Sequence, residues 1–154
     1  MQQTGVTVLR HCRAWEPVFP LSKREIGPVA RCILTELGLD HAHFTLKLVD
    51  DAEIARLNAE FMGCVGPTNV LSFPAGDPES DEKAARQDDA ADHLGEIALS
   101  VDTLARESVL YGQSPGDHLV RLLSHAVLHL AGFDHGEAMD ALTDAAVAAC
   151  GDRR

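Results

Sequence analysis

Near the C-terminal end of the chain, three histidines fall within eleven residues: His125-Ala126-Val127-Leu128-His129-Leu130-Ala131-Gly132-Phe133-Asp134-His135. Residues four apart lie one turn above each other on the same helical face. His125 and His129 can therefore aim their imidazoles at one point. The helix that carries them is legible in its own right, because Leu119, Leu122, Leu123, Val127, Leu128 and Leu130 recur at helical spacing from Asp117 until Gly132 stops the run. Beyond the glycine the chain can fold back and bring His135 to the same point. Three neutral nitrogen donors leave one coordination position open, which separates catalytic from structural zinc. Water bound there ionises near pH 7 and supplies hydroxide. A lone histidine on an apolar face is ordinarily a core residue, and it is the third histidine after the glycine stop that turns the pair into a metal site. Ala126 stands where the zincin H-E-x-x-H motif requires its glutamate base, so ordinary metalloprotease chemistry is disfavoured.

The rest of the chain predicts what that helix packs against. Residues 4–10 are β-branched and strand-like, and Pro17 and Pro20 then break the chain. Ser22 and Glu25 make a capping box for a helix whose apolar positions are Ile26, Val29, Ile33, Leu34 and Leu37, ended by Gly38. Residues 43–50 alternate as a strand, and 52–61 form a short helix behind Asp51. Residues 69–73 and 94–101 read as further strands, Asp102 caps a helix running to about Tyr111, and an alanine-rich helix occupies about 137–149. The expectation is an α+β domain in which a small mixed sheet is covered by helices, one domain over residues 1–154. The stretch 75–93, crowded with Asp, Glu and Ala, is expected to be a mobile acidic loop.

Charge and composition exclude other classes. Apolar residues make up 45% of the chain and charged residues 24%, as in soluble globular domains. No apolar run is long enough to cross a bilayer, and residues 1–5 lack the basic and apolar segments of a secretory signal, so a cytoplasmic address is expected. Cys12, Cys32, Cys64 and Cys150 are far apart without regular spacing and read as reduced, scattered thiols. The net charge is −11, all of it within residues 57–154, which carry 6 basic and 17 acidic side chains. Phosphate contacts draw on Lys and Arg. A nucleic-acid substrate would therefore need a local basic patch or a bound metal.

The pattern H-x-x-L-H-L-x-G-[FY]-D-H resembles the signature of the YbeY family of bacterial endoribonucleases, the rRNA maturation factors. Leu57-Asn58 followed by Thr68-Asn69-Val70-Leu71-Ser72-Phe73-Pro74 resembles that family's L-N and T-[DN]-V-L-S-F-P block. Leu94-Gly95-Glu96-Ile97-Ala98-Leu99-Ser100 resembles its L-G-[DE]-I-x-[IL]-S strand, and His118 sits where the family often has a histidine. The matches keep the family's order from about residue 46 to residue 135. The resemblance implies one zinc ion held by His125, His129 and His135. It implies hydrolysis of single-stranded ribosomal RNA, small-subunit ribosomal components as partners, and neither membrane nor DNA.

Two positions depart from the family. Ala126 replaces a usual glycine, and Met62 replaces an arginine associated with catalysis or RNA binding. A thioether carries no charge to offer a phosphate. Arg121, four residues before His125, and Arg56 are the candidate substitutes. Asp134 is a candidate to orient a ligand imidazole, while Asn69 and Ser72 are candidates for substrate contact and Glu96 for a partner within the sheet. His11, His41, His43 and His93 show no ligand spacing and are expected at the surface. Two rival functions stand beside the nuclease: a metal hydrolase of another substrate class, and a ribosome-assembly factor with structural zinc that cleaves nothing.

Overall fold

The computed structural model describes residues 5–10, 20–75 and 92–152, apart from the side chains of Lys23 and Asp92. In chain order the elements are β1 (Gly5–Arg10), α1 (Lys23–Glu36), β2 (Ala42–Val49), α2 (Asp51–Leu57), a π-helical turn (Asn58–Met62), β3 (Val70–Pro74), β4 (Asp92–Ser100), α3 (Val101–Leu110), α4 (Pro115–Leu130) and α5 (Glu137–Cys150). The four strands form one sheet in the order β1-β2-β4-β3. β1, β2 and β4 run parallel, and β3 is antiparallel to β4. This is the mixed sheet of an α+β fold.

Strand alternation sorts side chains between two layers. Phe44, Leu46 and Leu48 of β2, with Ile97 and Leu99 of β4, face α1, α4 and α5 and form the main core. On the opposite face Val49, Ala98 and Leu71 pack with Ile54 and Leu57 of α2 and with Phe73. This second cluster covers only one end of its face. Thr45, Lys47 and Glu96 lie farther along on the same side and are half-buried, with Lys47 and Glu96 3.7 Å apart.

Three local expectations shift. α3 is capped by Ser100, whose side chain accepts from Thr103 N, rather than by Asp102. Asp50 caps α2 by accepting from Glu53 N. The expected 52–61 helix is instead α2 from Asp51 followed by the π-helical turn, with Gly63 beyond it at φ 65°. Asp51 is thereby free for a different task. Its carboxylate accepts from Ser100 Oγ and Thr103 Oγ1, both at 2.7 Å, and from Arg106 Nη1 at 2.6 Å, while its own N–H donates to Asp102 at 3.1 Å. This ties the start of α2 to the start of α3. β4 begins at Asp92, so the expected acidic loop gives up residues 92 and 93, and residues 76–91 lie outside the described set.

The cysteine expectation is corrected. Cys32 on α1 and Cys150 at the end of α5 form a disulfide, with Cα atoms 5.9 Å apart and 118 residues between them in sequence. Spacing could not reveal a pair created by the packing of the first helix against the last. Cys64 is a free, exposed thiol, and Cys12 lies outside the described residues.

Closing a loop of this size stabilises a fold by about 2–4 kcal/mol. At roughly 2–4 °C per kcal/mol for a chain of this length, dithiothreitol should lower the midpoint of thermal unfolding by roughly 5–15 °C. Cys32→Ser/Cys150→Ser should show the lower midpoint with no response to reductant, as read by calorimetry. Asp51 supplies a second expectation. Burial opposes its ionisation, but hydrogen bonds from Arg106, Ser100 and Thr103 outweigh that and hold its carboxyl below the usual value of 3.8. A lowered folded-state pKa contributes stability above the unfolded value that fades as pH falls through the folded one. Asp51→Asn should cost about 1–3 kcal/mol near pH 6, and urea titrations should show the gap closing below about pH 4.

Candidate metal centre

α4 is built to present histidines at its C-terminal end. Pro115 occupies the first turn, and the Ser114 side chain accepts from Asp117 N at 3.1 Å. Leu119, Leu123, Val127 and Leu128 are fully buried against the sheet and neighbouring helices. His125 and His129 lie at the margin of that apolar stripe and are half-buried. The helix ends in a Schellman motif, in which Phe133 N donates to Leu128 O and Gly132 N to His129 O, both at 3.0 Å. Gly132 adopts φ 95°, a region L residues avoid. The turn reverses the chain and delivers exposed His135 to the other two.

The three ring centroids are 4.9, 5.1 and 4.7 Å apart, and one nitrogen from each ring lies within 4.8 Å of the others. Metal–nitrogen bonds of about 2.0–2.1 Å to one ion need nitrogens about 3.3 Å apart in a tetrahedral site. Small rotations of the exposed and half-buried rings close the difference. The donor set is all imidazole, which suits zinc, copper or nickel and disfavours magnesium or calcium. The residues therefore fit a divalent metal with an open solvent-facing position. Burial, then the positive charge of His129 and His135, pushes the His125 pKa below its usual 6.5, with the carboxylate of Asp140 partly opposing them. That direction favours the neutral imidazole, the form that ligates a metal.

Asp140 was not among the sequence candidates. It follows buried Met139 in the first turn of α5 and places negative charge near His125. Only the docking of α5 beside α4 brings it there.

The other candidates are placed as follows. Ser72 Oγ on β3 donates to the carbonyl of Ala126 at 3.3 Å, pinning the strand to the residue after the first histidine. Asn69 Nδ2 donates to Glu107 at 3.1 Å, and Glu107 in turn meets His118 Nε2 of α4 at 2.9 Å. Glu107 thereby links the start of β3 to the metal helix, with Tyr111 edge-on to the His118 ring. Asp134 is exposed, and among the described residues no hydrogen bond joins it to an imidazole. Glu96 pairs with Lys47 across the sheet. Arg121 pairs with Asp144 of α5 at 3.0 Å, and Arg56 is engaged by both Glu53 and Glu60. Met62 is exposed at the end of the π-helical turn, next to exposed Phe61.

The family profile described as Endoribonuclease YbeY matches residues 21–144, a span that includes all three histidines. Relatives named endoribonuclease YbeY include one from Oleidesulfovibrio alaskensis, 47% identical over 137 residues that cover 82% of this chain and 81% of the relative. One from Nitratidesulfovibrio vulgaris is 42% identical over 144 residues and covers 88% of each. The fold is similar to the solution structure of TM1509 from Thermotoga maritima, with a TM-score of 0.60 at 20% identity over 92% of this chain and 86% of that one.

Two substitutions test the geometry. His129→Ala should lose one equivalent of zinc relative to wild type by equilibrium dialysis followed by metal analysis. Gly132→Ala meets no atom within 4 Å and fails only on backbone conformation. It should cost on the order of 1 kcal/mol in stability and weaken zinc at the triad about tenfold by displacing His135.

Proposed function

This chain belongs to the YbeY endoribonuclease family, and from that membership together with the three-histidine cradle we propose that it is a zinc-dependent endoribonuclease that cleaves single-stranded RNA in the maturation of ribosomal RNA. The observation that carries the reading is the convergence of His125, His129 and His135 with one side open to solvent. No helix among the described residues is long and apolar enough to cross a membrane. A cytoplasmic location and small-subunit ribosomal partners belong to the same proposal.

A zinc ion held there supplies Lewis acidity toward a phosphodiester and lowers the pKa of water. The chain's own residues do the positioning. Ser72 anchors β3 to the metal helix and Glu107 holds the other end of the strand through Asn69, so the strand bordering the helix is fixed in register. Charge that develops on the phosphate calls for a cation. Arg121 shares its guanidinium with one carboxylate, whereas Arg56 is engaged by two. Arg121, one helical turn before His125, is therefore the stronger candidate, since its remaining N–H groups stay available to a phosphate.

The test is cleavage of single-stranded ribosomal RNA by purified protein with zinc and with chelator, using His125→Ala to exclude contaminating nucleases. Cleavage should require both zinc and His125. Arg121→Ala should reduce the rate by about 100-fold or more, in line with the loss of one charge-stabilising donor, and Arg56→Ala should change it little. Met62→Arg should raise the rate. Stoichiometric zinc without cleavage, together with unfolding when zinc is removed, would instead establish an assembly factor with a structural metal.

A further inference from the structure

We propose that His43 and His93 form a second divalent-metal site, separate from the three-histidine centre and on the opposite face of the sheet. The two residues are 50 apart in sequence and carry no ligand spacing, yet they are register partners on the parallel strands β2 and β4, beside a bulge between His43 and Phe44. Phe44 faces the main core, so His43 points to the other side, where α2 does not reach. The two Nδ1 atoms lie 3.1 Å apart, the rings are tilted by 33°, and His93 is exposed.

Three observations make this pair a ligand set rather than only a hydrogen bond. First, the separation suits one ion. With metal–nitrogen bonds of about 2.0–2.1 Å, nitrogens 3.1 Å apart subtend roughly 95–100° at the metal. That lies between a cis pair in a square or octahedral site and a tetrahedral edge, so a shift of about 0.2 Å satisfies either.

Second, the outer nitrogen of His43 is already held: Nε2 lies 2.8 Å from Thr7 Oγ1 on β1. Metal-binding histidines characteristically donate their second ring N–H to such an acceptor, which fixes the tautomer and turns the other lone pair toward the ion. In the tautomer that donates Nε2–H to Thr7, Nδ1 of His43 carries the lone pair; it accepts from His93 Nδ1–H, and an ion would bind by displacing that one proton.

Third, Glu96, the acidic side chain at the neighbouring position along this face, is paired with Lys47. Among the described side chains, the donors that remain are imidazoles. Two neutral nitrogens select a borderline cation of the nickel, copper or zinc class over magnesium or calcium, and leave the other coordination positions to water.

The experiment is titration of the full chain with Ni²⁺ alone at pH 7.5, read by calorimetry and native mass spectrometry. Wild type should bind two equivalents, His93→Asn one, His125→Ala one, and the double variant none. His93 is exposed, so its replacement leaves the fold intact, and circular dichroism of each variant checks this. Thr7→Val should weaken the second equivalent about tenfold while leaving the first unchanged. In the His125→Ala background, added Ni²⁺ should broaden the His43 and His93 ring resonances. One equivalent in wild type and none in His125→Ala would overturn the proposal, as would two equivalents persisting in His93→Asn.

Discussion

The apolar seam between α4 and the sheet is the contact on which the rest depends. Leu119, Leu123, Val127 and Leu128 are removed from water against Leu46, Leu48, Ile97 and Leu99. At about 1.5–3 kcal/mol for each fully buried side chain of this size, no rotation of the helix that exposed these leucines would survive. The seam therefore fixes the azimuth of α4, and with it the direction of His125 and His129, which sit at its edge. The histidine triad inherits its precision from packing rather than from contacts among the three rings themselves. The polar ties around it act as fine adjustment, since Ser72 to Ala126 sets the height of β3 along the helix and Glu107 sets the approach of α3.

Much of this was legible in the sequence because it is local. The α4 stripe, the His125–His129 pair, the Gly132 stop and the return of His135 all lie within one helix and its cap, where 3.6-residue periodicity and the glycine's positive φ act over a few residues. The four strands were legible for the same reason. What escaped was created by long-range packing. Cys32 and Cys150 meet because α1 and α5 lie side by side, Asp140 nears His125 because α5 docks against α4, and His43 meets His93 only through the register of two parallel strands. Asp51 was misread differently. Its place directly before the helical stretch reads as a cap, and only the long-range approach of buried Ser100 and Thr103 to α2 shows that Asp50 caps while Asp51 collects hydroxyls.

The charge of the chain poses the remaining problem, and the chemistry of the triad answers it. A net charge of −11 repels a polyanion, and Arg56 and Arg121 are both ion-paired. Exposed pairs of this kind are worth about 0–1 kcal/mol, so a phosphate can compete for either guanidinium at little cost, most readily for Arg121 with its single partner. Three neutral histidines also add no negative charge of their own. Under the proposed zinc reading the ion's two positive charges would face the open side undiminished, whereas a carboxylate ligand would cancel one of them. An acidic chain can then concentrate positive charge at a single point while its surface stays anionic. Recognition would accordingly rest on a single phosphate at the centre rather than on a basic track along the strand.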